Sequence, residues 1–132
     1  VLSYWWQEIA LLSFVFLRGI DYGGGMDIEL LNTSTFEKQA LEVLDQVAEH
    51  LAAETSFDDI DIELQMGVLT LTASSGKQFV INKHNPTMQI WYSSPVSGAH
   101  YFSCHHNENQ WKSADGEELL MKLQRELQTI LE

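Results

Sequence analysis

Two groups of side chains in these 132 residues have the types and spacing to do chemistry, and the larger is acidic. Glu42, Asp45 and Glu49 recur at steps of three and four residues, and Asp58, Asp59 and Asp61 follow closely. Steps of three and four place side chains on one side of a helix, so the first three carboxylates form a ridge that Glu54 and the later aspartates extend. Carboxylate oxygens suit a hard divalent cation, but exposed carboxylates without a preformed cage hold one only loosely. The smaller group is Cys104, His105, His106 and Glu108, all metal-ligand types. Adjacent residues on a strand point apart, and a structural zinc site needs ligands converging from two separated pairs, so a polar loop is the better reading. For Cys104 as a nucleophile, the sequence supplies no oriented base and no oxyanion donors.

The charge that surrounds the first group narrows the function. The chain carries a formal net charge of −12, and eleven acids against the single Lys38 lie between Asp27 and Glu63. Such a chain is repelled by nucleic acid and by anionic membrane surfaces, which excludes DNA and RNA as partners. The single cysteine cannot form an intramolecular disulfide, and a reducing compartment is therefore allowed.

The elements that must position these residues follow from periodicity. Ser34 and Glu37 have the spacing of a capping box, and Phe36, Ala40, Leu44, Val47 and Leu51 form one apolar stripe, predicting a helix from Ser34 to about Ala53. Ile60, Ile62 and Leu64 alternate with Asp61 and Glu63, the pattern of a strand with one dry face. Met66-Gly67 then turns the chain into a strand over Val68 to Ala73, and Ser74-Ser75-Gly76 turns it into another over Gln78 to Asn82. Met88 to Ser93 reads as a further strand, with short ones near Tyr101 to Ser103 and Gln110 to Lys112. These short connections require antiparallel pairing. Asp115 and Glu118 repeat the capping logic before a helix whose apolar face is Leu119, Leu120, Leu123, Leu127, Ile130 and Leu131. The predicted fold class is α+β: a two-layer sandwich with both helices on one face of an antiparallel sheet and the other face open.

Residues 1–25 read as a hydrophobic segment separate from the domain at 26–132, with Gly23 to Gly25 as a flexible junction. The apolar run Ile9 to Leu17 is too short to span a bilayer, so no stable membrane insertion is expected. The segment reads equally as an atypical presequence or as an artefact of the gene model.

The stretch VINKHNPTMQIWYSSPVSG, Val80 to Gly98, is dense in unusual residues. With the acidic first helix and the GVLTL hairpin, its VINK, Pro86, QIW, SSP and SG resemble the frataxin family in its mitochondrial form, over roughly Thr35 to Leu131. The resemblance implies the same sandwich and a small protein of the mitochondrial matrix that takes part in iron–sulfur cluster assembly. It implies binding to the complex of cysteine desulfurase and scaffold protein, faster sulfur transfer, weak Fe²⁺ binding along the ridge, and ferrochelatase as a further partner. Glu42, Asp45, Glu49, Asp58, Asp59 and Asp61 fall in the family's acidic ridge. Asn82, Lys83, Gln89, Ile90 and Trp91 match positions that line the docking surface of the sheet, and Trp111 matches a second tryptophan near the last strand.

The chain also departs from the family pattern. The arginine expected at Tyr101 is missing and Cys104 stands where a tryptophan is common, so His100, when protonated, is the expected substitute for the lost charge. The alternative functional reading is a ferroxidase and iron-storage protein that oxidises Fe²⁺ and oligomerises around it. Strand alternation sets Trp91 opposite Ile90 and Tyr92, so Trp91 is exposed if Ile90 faces the helices.

Overall fold

A computed structural model describes residues 25–105 and 110–131, with side chains from residue 32 onward. Helix α1 spans Gly25–Ala53, and strands β1 Asp61–Gln65, β2 Val68–Thr72, β3 Gln78–His84, β4 Gln89–Ser94, β5 Gly98–His105 and β6 Gln110–Lys112 follow before helix α2, Leu119–Leu131. The strands run in sequence order as an antiparallel meander. Helix α1 packs on β1, β2 and β3, and its buried Phe36, Ala40, Leu44, Val47 and Leu51 share one core with Leu119, Leu123 and Leu127 of α2. The α+β sandwich expected from the pattern is the fold observed.

Helix α1 starts earlier than its capping signal. Ser34 and Glu37 lie inside the helix because no glycine or proline between Met26 and Ala53 interrupts it, and a local cap competes poorly with an uninterrupted helical run. The start of α2 also differs in detail. Glu118 accepts a hydrogen bond from the Met121 N–H at 2.9 Å and is the true cap. Asp115 instead accepts from the Glu117 N–H at 3.1 Å and from the Ser113 hydroxyl, which closes the loop before it. The N-terminal segment, the glycines 23 and 24, and the polar connection 106–109 lie outside the described residues.

Strand register is pinned by its turns. Met66 and Gly67, both at positive φ (52° and 77°), make the two-residue hairpin that matches strand twist. A Cβ on Gly67 would come within 2.7 Å of the Lys83 side chain, so Gly67 also lets Lys83 pass. With register fixed, alternation places Leu69, Leu71, Phe79, Ile81, Ile90, Tyr92 and Phe102 against the helices, each essentially inaccessible to solvent.

One polar network ties α2 to this core. The buried Tyr92 hydroxyl donates to Glu126 Oε1 at 2.6 Å, and Lys122 Nζ sits 3.8 Å from Glu126 Oε2 and 3.2 Å from Glu117 Oε2. Burial alone would raise the Glu126 carboxyl, but hydrogen bonds from Ser97, Tyr92 and Ser94 and the Lys122 charge outweigh it and hold the pKa below the ordinary 4.5. A depressed carboxylate contributes stability that is complete above its unfolded value and is lost as pH falls through the folded one. Tyr92→Phe should therefore cost about 1.5–3 kcal/mol near neutrality, the range for a bond to a charged group. In urea melts the gap between the two proteins should narrow as pH falls through the depressed folded pKa of Glu126, below the ordinary 4.5. A gap that stays constant with pH would show that the hydroxyl acts through packing alone.

Candidate functional site

Because the helices cover one side of the sheet, its opposite face is built from the alternate residues. β3 contributes Val80, Asn82 and His84, β4 contributes Gln89, Trp91 and Ser93, and β5 contributes Ala99, Tyr101, Ser103 and His105. Asn82 lies directly opposite Trp91, and Trp91 directly opposite Tyr101. Around Trp91 the side chains form a short aromatic row. His84 stacks on the indole with centroids 3.7 Å apart and 18° between planes, and Tyr101 meets its other side edge-on at 5.4 Å. Trp91 is consequently half-buried rather than exposed, while Tyr101 keeps 49% of its surface.

The polar members of this face are held in place. Gln89 donates to the Ser103 hydroxyl at 3.4 Å, and the His84 Nδ1 lies 2.7 Å from the Thr87 hydroxyl of the turn that joins β3 to β4. That turn is a single 3-10 segment, Asn85–Thr87, closed by Met88 in the left-handed region at φ 52°. Asn82 is almost fully buried among these neighbours. Beyond Tyr101 the face continues into an open groove of about 480 Å³ lined by Gln89, Tyr101, Ser103, His105, Lys112 and Asp115.

Four residues expected on this surface are elsewhere. Ile90 is fully buried beneath the helices, because it alternates with Trp91 and only one of the two can face outward. Trp111 is 5% exposed and packs edge-on against Phe36 of α1 at 5.8 Å, so it is a core residue. Lys83 projects to the helix side, where its Nζ meets Glu37 Oε1 at 3.0 Å. His100 lies opposite Tyr92 in the alternation, on the helix side, its Nε2 3.0 Å from the Ser97 hydroxyl, although it also borders the groove beside Tyr101. Asn82, Gln89 and Trp91 remain on one face. His84 was not singled out by sequence reasoning, although its two-residue step from Asn82 was signal enough.

The acidic ridge is a second surface. Glu42, Asp45, Glu49, Asp58, Asp59 and Asp61 are all exposed, on α1, in the loop after it and at the start of β1. Glu54 does not extend the ridge as a free carboxylate: its Oε1 takes contacts from His50 Nε2 at 3.0 Å and Gln124 Nε2 at 2.6 Å. Among the described residues no three His, Cys, Asp or Glu side chains converge into a metal cage. The ridge therefore fits loose, solvent-shared cation binding rather than a closed centre. Cys104 is half-buried against the core, and burial pushes its thiol up, away from the reactive thiolate. Among the described residues no helix is long and apolar enough to cross a membrane.

Comparison with known proteins places this geometry. Residues 29–132 match the model of the frataxin-like domain. A frataxin-like, mitochondrial protein of Leishmania donovani is 36% identical over 103 residues, which cover 73% of this chain and 54% of that protein. The chain thus spans about half the length of that curated relative. Among solved structures, a trimeric frataxin from Saccharomyces cerevisiae, complexed with ferrous ion, superposes with a TM-score of 0.60 at 34% identity, covering 69% of this chain and 83% of that one. A frataxin from Psychromonas ingrahamii gives a TM-score of 0.58 at 26% identity over the same shares.

The division of Ile90 from Trp91 has a measurable consequence. Ile90→Ala should cost about 2–5 kcal/mol in chemical denaturation, as for a buried aliphatic residue cut to a methyl group. Trp91→Ala should cost less and leave the cooperative transition intact. Equal losses at the two positions would place Trp91 in the structural core.

Proposed function

We propose, from the premise that this chain belongs to the frataxin family, that it is an iron-binding activator of mitochondrial iron–sulfur cluster assembly. It docks through the sheet face away from the helices to the complex of cysteine desulfurase and scaffold protein, and it holds Fe²⁺ weakly along the acidic ridge. The observation that carries this reading is the position of Trp91, half-buried on the face away from the helices beside Asn82 and Gln89 while its neighbours Ile90 and Tyr92 serve the core. An aromatic anchor framed by hydrogen-bonding side chains is the composition of an interface hot spot.

The two surfaces divide the work. The ridge offers six exposed carboxylates whose mutual repulsion is relieved by a cation or a basic partner, which speeds and orients encounter more than it tightens binding. The sheet face supplies the contact that lasts, through Trp91 and the amide of Gln89, which Ser103 holds, with the buried Asn82 packed beside them. The same ridge accounts for a weak, poorly selective and salt-sensitive Fe²⁺ site. Mitochondrial residence follows the name of the Leishmania relative, and the matrix is where the proposed partners would be met. Ferrochelatase would approach the ridge by the same electrostatics.

Sulfide production by a cognate desulfurase and scaffold complex, measured anaerobically, should rise when this protein is added and should fall back on Trp91→Ala. Undiminished acceleration by Trp91→Ala would remove the sheet face from the mechanism. No acceleration by the native chain, with Fe²⁺ consumed by O₂ in a parallel run, would favour the ferroxidase alternative. Reversing Asp58, Asp59 and Asp61 to lysine should abolish Fe²⁺-dependent NMR broadening of the ridge. Broadening that persists there would move the iron site elsewhere.

A further inference from the structure

His84 closes β3 and is 2% exposed although it lies on the face away from the helices. Its ring is trapped between the Asn85–Thr87 turn, through Nδ1 and the Thr87 hydroxyl, and the indole of Trp91, on which it stacks. Its second ring nitrogen, Nε2, is buried with no hydrogen-bond partner among the described residues. A neutral imidazole tolerates this arrangement at modest cost. An imidazolium does not, because both ring nitrogens then carry protons and the buried one has no acceptor among the described residues.

Among the described residues, the groups that face His84 leave it no compensating charge. Asn82, Gln89, Trp91 and Thr87 do not titrate near neutrality, and Tyr101 stands beyond the indole. From α1, Glu37 is engaged by Lys83 on the helix side of the sheet. We propose that His84 is the positioning residue for Trp91: its neutral ring, anchored by Thr87, holds the indole in the orientation used for docking, and protonation releases that hold. The inference rests on the reading of the sheet face as a docking surface and adds a residue and a control to it.

Two forces oppose each other in the stack. Cation–π attraction between an imidazolium and the indole would favour protonation, and loss of water from the buried ring disfavours it. Burial wins, holding the His84 pKa below the ordinary 6.5. The stability tied to the neutral ring is therefore complete above that value and is lost as pH falls through the lower folded one. Docking excludes still more water from the face, so a docked protein also selects neutral His84. Near and below its folded pKa one proton must leave on binding, which weakens docking by at most about tenfold per pH unit.

The test uses the full chain in two measurements. In the free protein the indole N–H resonance of Trp91, assigned with Trp91→Phe, should titrate between pH 8 and 5 with an inflection below 6.5, in step with the His84 ring protons. In His84→Phe, which keeps a flat ring on the indole but cannot take a proton, that resonance should not move. Affinity for the desulfurase and scaffold complex should fall with acidification for the native chain and stay level for His84→Phe. His84→Gln, neutral at every pH but unable to stack as a ring, should bind more weakly and also without pH dependence. Undiminished docking by Trp91→Ala would refute the docking reading and with it the role of His84. A Trp91 resonance that ignores pH, or docking that tightens on acidification while still depending on Trp91, would refute the role of His84 alone.

Discussion

The two-residue alternation of a sheet whose two described helices lie on one side is the constraint on which the rest of this structure depends. Six strands in sequence order leave little freedom once the Met66-Gly67 hairpin and the Asn85–Thr87 turn set their register. From then on each residue of β3, β4 and β5 belongs either to the helix layer or to the uncovered face. Ile81, Ile90, Tyr92 and Phe102 take the first, and Asn82, His84, Trp91 and Tyr101 take the second. A slip of one residue would bury Trp91 and expose Ile90, removing the core and the candidate docking surface together.

Polar interactions then adapt each side to its task. On the helix side Glu126 is almost fully buried, which is tolerable because the Tyr92 hydroxyl and Lys122 reach it. The result binds α2 to the centre of the sheet as well as to its apolar surface. On the face away from the helices a buried polar group is left incompletely satisfied among the described residues at His84, beside the residue proposed to anchor a partner. Incomplete satisfaction in an otherwise well-partnered protein marks a place where function and stability pull apart.

The architecture was legible from the residues because helices and strands here obey their periods plainly. The stripe from Phe36 to Leu51 and the alternation of Ile60 to Leu64 gave the layers, and turn residues gave the meander. The start of α1 was not legible, since a capping box reports only that a helix could begin at Ser34 and the uninterrupted helical run extended it to Gly25. The candidate face was partly legible. Matching a motif residue by residue brought forward Lys83, Ile90, His100 and Trp111, but a linear motif mixes the two faces of every strand it crosses. Alternation read through VINKH and QIW would have separated Ile90 and Lys83 from Asn82, His84 and Trp91 without any structure. The arrangement of His84 over Trp91 could not be read, because it depends on the turn that folds β3 back on β4.

The acidic ridge and the sheet face are also coupled by geometry, since Asp61 belongs to β1, the edge strand of the same sheet. Glu37 and Glu54 show what the fold does with carboxylates it needs internally, pairing the first with Lys83 and the second with His50 and Gln124. The six ridge carboxylates stay exposed, so whatever relieves their repulsion comes from outside the domain. A di-iron oxidation centre gathers its carboxylates and histidines inward from facing helices. These project outward from one helix, a loop and a strand end, which suits ions held through water and basic surfaces that meet the ridge in passing. On the proposed function, a basic partner guided along the ridge would arrive beside the sheet edge, with β2 alone between that edge and β3, where the aromatic row begins.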